Sequence, residues 1–212
     1  SWPVYENLNL RVVEFMSYEG GIQSAMSKVY FFKITYYYYR YWNLKNGSLS
    51  NGKESTQGVE IEATLTPIGM LDLPVNIRIP LNIWVQRKKN LRNVTNDIIR
   101  LYNPKFMVNI GLEAIFKFGL TIGIYGQYRE NYPNQTTGEQ NYPSWYLKYF
   151  TMDIKANFRF NAFGTSMRVY ASLINVFNTM YAVIGRWDSW NSRYETYTMP
   201  GRTFLIGLEV TF

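Results

Sequence analysis

Glu60 and Glu62 are the first residues whose types and spacing invite chemistry. Two positions apart on an extended chain, their carboxylates fall on one side about 7 Å from each other, a separation that inverting glycoside hydrolysis can use. That reading needs a substrate cleft, and nothing around the pair indicates one. The sequence contains no histidine and no cysteine. Ser-His-Asp and Cys-His catalysis, thiolate ligation of zinc and disulfide bonding are therefore excluded. Asp188 and Ser189 have no base to work with. The expectation is a non-enzyme that carries neither cofactor nor metal.

Binding chemistry is better represented. Trp187, Trp190, Arg193, Tyr194 and Tyr197 gather aromatic faces and a cation in one polar segment, and Tyr132, Tyr142 and Trp145 do so in another. Through cation-π contact and bidentate hydrogen bonding such groups suit an anionic or aromatic ligand. Packing of loop against loop uses the same residue types and is the alternative. Arg87, Lys88, Lys89 and Arg92 form the densest basic cluster, able to hold phosphates or draw in an acidic ligand, or else a solvated loop. The net charge is +7, but the other cations are scattered. No nucleic-acid partner is expected.

What positions these residues is alternation of period two. In 75–86 (VNIRIPLNIWVQ), Val75, Ile77, Ile79, Leu81, Ile83 and Val85 share one parity, while Asn76, Arg78, Asn82 and Gln86 hold the other. With 47% of residues apolar, six such hits in a row arise by chance about once in a hundred. Val59, Ile61, Ala63 and Leu65 repeat the device, as do Phe150, Met152, Ile154, Ala156, Phe158 and Phe160. The pattern predicts about nine strands near the ten-residue length that crosses a bilayer at a tilt. No apolar run is long enough for a helical span. Short connections near 25–28, 67–73, 117–119 and 161–164 alternate with long polar ones at 43–55, 88–103, 130–146 and 182–200, as in an up-and-down barrel.

A soluble sandwich also alternates, so the faces must decide. The run YFFKITYYYYRYW (30–42) stacks rings at a strand end, and Tyr125, Tyr128, Trp145, Tyr146, Tyr149 and Phe150 crowd other ends, as interfacial girdles do. In water they would form an aggregating patch. The opposite parity carries Glu60, Glu62, Arg78, Glu113, Asp153, Lys155, Arg159 and Arg168. In a dry core each unpaired ion would cost several kcal/mol, so this set is expected to face a wet lumen. The fold expected is an all-β transmembrane antiparallel β-barrel.

SLINVFNTMY (172–181) followed by MPGRTFLIGLEVTF (199–212) resembles the C-terminal signature of TonB-dependent outer-membrane receptors. SYEGGIQ (17–23) and STQGVEIEATLTP (55–67) are similar to two further strands of that family, in the same order. The resemblance implies a bacterial outer-membrane barrel of about 22 strands around an N-terminal plug, energised by a TonB-type partner and taking up a scarce ligand such as a ferric siderophore. Residues 1–212 would then be one unit, the C-terminal part of the barrel, with lipopolysaccharide and the remaining barrel and plug as partners. Any secretion signal would lie upstream of Ser1. Glu60, Glu62, Arg78, Glu113, Lys155, Arg168 and Arg202 are the expected lumen or plug-facing residues, and Trp187, Trp190, Arg193, Tyr194, Tyr132 and Trp145 the expected ligand contacts. Parity agrees, because nine strands cannot close by antiparallel pairing. Either 7–13 (NLNLRVV) adds a tenth strand, or further strands are upstream or on another chain. The alternative is a small self-contained barrel acting as a passive pore or adhesin. Pro200, Gly201, Arg202, Asn175 and Asn178 also admit a plain structural role at strand ends.

Overall fold

A computed structural model of the protein describes residues 12–26, 28–46, 49–92, 104–131, 148–188 and 193–211. The alternating segments are realised as strands β1 (Glu14–Met26), β2 (Tyr30–Asn46), β3 (Leu49–Leu65), β4 (Val75–Arg92), β5 (Phe106–Phe116), β6 (Leu120–Glu130), β7 (Lys148–Ala162), β8 (Thr165–Ile174), β9 (Ala182–Asp188), β10 (Arg193–Thr198) and β11 (Thr203–Thr211). Nine of them form one antiparallel sheet in the order β1-β2-β3-β4-β5-β6-β7-β8-β11, and β9 pairs with β10 in a separate hairpin. The two edges, β1 and β11, consequently run in the same direction. The sheet is open and cannot close by pairing them.

Register sorts the side chains into two continuous faces. One row crosses Ile22, Ile34, Ile61, Ile83, Val108, Tyr128 and Phe150. One residue along, the row reads Gln23, Lys33, Glu62, Asn82, Asn109, Gln127 and Thr151. A slip of one residue on any strand would exchange the two sets, so the apolar pattern itself pins the register. The apolar face lies open: Ile206 is 70% and Ile22 69% exposed, while Gln86, Glu113 and Thr151 on the polar face are 3%, 4% and 8% exposed. Among the described residues, only Tyr37, Leu44, Tyr149 and Ala182 are buried hydrophobics. This inverts a soluble body and suits a sheet whose outer side meets hydrocarbon.

The structure corrects three readings of the sequence. The long connection expected at 43–55 is largely strand, since β2 runs to Asn46 and β3 starts at Leu49, and the opening residues 88–92 of the one expected at 88–103 belong to β4, which extends to Arg92; the rest of that connection lies outside the described residues. Polar residues there extend the ladder beyond the apolar band, which hydropathy alone reads as loop. The stretch 182–200 likewise contains the β9–β10 hairpin. The tyrosine run of β2 is not one girdle. Tyr36 and Tyr38 share the apolar face, whereas Tyr37, Tyr39 and Tyr41 fall on the polar one, where Tyr37 and Tyr39 stack at 5.2 Å. Tyr125 and Tyr149 also take the polar parity, leaving Tyr128 and Phe150 outside. The candidate strand at 7–13 lies outside the described residues, apart from Val12 and Val13.

The short turns gather at one end. Gly119 (φ 102°) and Gly164 (φ 75°) take left-handed conformations that close the β5–β6 and β7–β8 turns. At this end Lys117 donates to Asp72, tying the β5–β6 turn to the β3–β4 connection and holding the Asp72 carboxyl below its ordinary value of 3.8. A depressed carboxylate stabilises the fold above its unfolded pKa and loses that contribution as pH falls through the folded value. Asp72 is fully exposed, so the effect is small and screened. Acidification below about pH 4 at low salt should lower the melting temperature of the wild type slightly more than that of Asp72→Asn; identical slopes in the two proteins would exclude the contribution.

Candidate functional site

The polar face centres on a cross-strand network over β4–β7. Arg78 stands opposite Glu113 in the ladder, with Nε 2.7 Å and Nη2 2.5 Å from Oε2. Tyr125 completes the carboxylate by donating its hydroxyl to Oε1 at 3.0 Å. It reaches there because the neighbouring positions are glycines: a Cβ on Gly123 would lie 2.6 Å from the Tyr125 hydroxyl, and one on Gly111 2.9 Å from its ring. Lys155, opposite Gly123, holds its ammonium 5.1 Å over the same ring. Charges of alternating sign are thus fixed across four strands.

Glu113 is nearly buried, but Arg78 keeps 48% of its side chain exposed. Removing the carboxylate leaves a half-solvated cation, so Glu113→Ala is expected to cost about 1–2 kcal/mol, less than the loss of a fully buried pair. Denaturant unfolding of the refolded protein measures it. A cost below about 0.3 kcal/mol would show the network to be incidental.

The remaining lumen candidates share this face. Asn82 donates to Glu60 at 3.5 Å, and Glu62 stands between Lys33 and Asn82 in the ladder. Arg168 lies 3.0 Å from Glu209 and 5.4 Å over Tyr170, with Arg159 opposite it on β7. Glu62, Asn82, Asn109, Gln127, Thr151 and Asp153 line a depression of about 570 Å³. Among the described residues no three acidic side chains converge as a metal site. The arrangement offers paired charges and amides, which hold a polar body in place.

Arg202 does something different. It follows the parity of Phe204, and its Nε donates to the Val176 carbonyl at 2.9 Å. Asn175, fully buried with φ 53°, closes a five-residue loop by exchanging two 2.9 Å bonds with the Thr179 backbone, and its own N–H donates to Asp153. Asn178 (φ 54°) accepts the Arg202 N–H at 2.9 Å, and Gly201 leaves room beneath it. The two halves of the C-terminal signature are therefore one clasp that orients β11. Sequence reading recognised each half but had no signal for their contact.

Of the ligand-contact candidates, Tyr194 pairs with Trp187 and Arg193 with Asp188 in the β9–β10 ladder, so Trp187, Arg193 and Tyr194 occupy adjacent rungs of one hairpin. Trp190, Tyr132 and Trp145 lie outside the described residues. The basic cluster is divided by the pleat. Lys88 turns inward, 3.9 Å from the buried Glu54, while Arg87 and Lys89 are exposed on the other face.

No protein-family model matches the chain, and no curated protein does. Solved structures do match. The ferric yersiniabactin uptake receptor FyuA from Yersinia pestis aligns at TM-score 0.67 and 19% identity over 94% of this chain and 30% of its own. The FrpB iron transporter from Neisseria meningitidis aligns at 0.66 and 16% over 94% and 31%. The ferric-catecholate import receptor Fiu from E. coli K12 aligns at 0.62 and 15% over 92% and 27%. These are TonB-dependent receptors, and the nine-strand sheet has the fold of their barrel wall. The chain spans less than a third of the length of each.

Proposed function

We propose that the chain is part of the wall of a bacterial outer-membrane receptor that takes up a scarce ligand such as a ferric siderophore, energised by a TonB-type partner acting on a plug. The observation that supports this most is the division of nine strands into an exposed apolar face and an opposite face that carries most of the charges, in a fold shared with iron-uptake receptors. Further strands, upstream or on another chain, complete the barrel. Glu60, Glu62, Arg78, Glu113, Lys155 and Arg168 then face the plug, and Arg202 fixes the end of β11. The hairpin carrying Trp187, Arg193 and Tyr194, with Trp190, Tyr132 and Trp145, meets the ligand. Catalysis has no part, and lipid rather than nucleic acid surrounds the protein.

The test is deletion of the whole native gene and measurement of radiolabelled iron uptake from a panel of ferric siderophores under iron limitation. Loss of one uptake activity, reproduced by inactivating TonB in the parent strain, is the expected result. Unchanged uptake across the panel, with the purified native protein conducting ions as a small pore, would replace this reading by the passive-barrel one.

A further inference from the structure

Three basic residues of β2 and β4 lie together on the apolar face. On β2 the outward positions run Tyr30, Phe32, Ile34, Tyr36, Tyr38 and then Arg40; on β4 they run from Val75 to Val85 and then to Arg87 and Lys89. Ser55 on β3 stands between Arg40 and Lys89 in one row, and Gln57 between Tyr38 and Arg87 in the next. Two strand spacings put Arg40 and Lys89 about 10 Å apart, and Arg87 is about 7 Å from Lys89 along the strand. The three cations thus bracket a patch one headgroup wide, next to the last tyrosines of the apolar band.

Their partners are few. Arg87 and Lys89 are exposed and form no ion pair among the described residues. Arg40 rests its guanidinium 5.2 Å over the Trp42 ring, which orients it, and its Nε is buried without an acceptor. Glu14 stands opposite Trp42 on β1, diagonal to Arg40 but three strands from β4, too far to neutralise Arg87 and Lys89. A bidentate Arg, a second Arg and a Lys beside aromatic rings form a phosphate-binding set at a membrane surface. The patch lies at the end of the sheet away from the short turns, the outer end in barrels of this kind.

We infer that Arg40, Arg87 and Lys89 form a binding site on the outside of the barrel for the phosphates of an outer-leaflet glycolipid. The assignment rests on the outer-membrane reading above but not on the transported ligand. Gln57, exposed on the same face, supplies an amide between the cations, and Tyr18 and Tyr38, whose rings lie 6.4 Å apart, border the site on the acyl side.

The test uses the full-length gene product purified in detergent from outer membranes, with bound lipid quantified by phosphate assay and mass spectrometry. The wild type is expected to retain phosphorylated glycolipid, and Arg40→Gln/Arg87→Gln/Lys89→Gln to retain at least roughly tenfold less. Lys28→Gln, at the opposite end, should be unchanged. Binding to lipid A vesicles should vanish when the lipid is dephosphorylated and resist millimolar inorganic phosphate. Equal retention by the triple variant, or displacement by inorganic phosphate alone, overturns the site. If the triple variant does not fold, as judged by heat-modifiable mobility, the exposed single changes Arg87→Gln and Lys89→Gln decide by the same criterion. Normal siderophore uptake with unaltered lipid retention in the variants defeats this site alone; absence of the protein from the outer membrane defeats the uptake reading as well.

Discussion

Leu112→Arg is expected to lower folding stability in lipid by about 2–4 kcal/mol, whereas Asn82→Arg on the other face should change it by less than about 1 kcal/mol. Leu112 sits near the middle of β5 with half its surface open and pairs with Ile124 on the apolar face. A guanidinium there must stay in hydrocarbon or drag water and headgroups inward. Asn82 stands opposite Glu62 and beside Glu60, so an added cation meets carboxylates on a hydrated wall. Urea unfolding in vesicles measures both. The expected ordering distinguishes the membrane barrel from a soluble sandwich, in which Leu112 belongs to the dry core and Asn82 to water. There Leu112→Arg would abolish folding outright in aqueous buffer without lipid. If the two variants were equally stable in lipid, the assignment of faces would fall.

The same two faces explain how much could be read from sequence. Period two is a local property, so Ile77, Ile83 or Phe158 announce their face without any knowledge of partners, and the strand count and open parity follow from it. Polar-face residues such as Arg78 and Glu113 were legible as a set for that reason. Their pairing was not, because register across β4 and β5 depends on turn geometry that composition does not encode. Strand ends failed for a related reason: beyond the apolar band β3 and β4 run on with Glu54, Lys88 and their neighbours, and the ladder continues on backbone bonds and buried polar pairs that hydropathy cannot register. The tyrosines of β2 misled because ring content was counted along the chain, whereas the pleat deals alternate rings to opposite faces. Asn175 binds local backbone as expected of it, whereas the Asn178 side chain accepts from the Arg202 N–H 24 residues on, a contact that is a matter of tertiary placement.

Gly207→Ala should destabilise by about 1–3 kcal/mol although the added group is a single methyl. Gly207 pairs directly with Tyr170, whose ring lies flat across it, so a Cβ would run into the phenol. The same directly opposed glycine and tyrosine recur at Gly58 with Tyr37 and at Gly111 with Tyr125. A bare glycine weakens a strand by exposing its backbone, and a cross-strand ring that covers it restores packing. In Gly207→Ala the ring must swing away, losing this cover and its stack beneath Arg168. Tyr170→Ala alone removes both at once, for about 1–2 kcal/mol. If the clash is the cause, the double variant Gly207→Ala/Tyr170→Ala falls short of the summed single effects by about 1 kcal/mol or more, since alanine then has open space. Additive costs in denaturant unfolding would mean that the ring does not press on Gly207. The device would then be ruled out at this position.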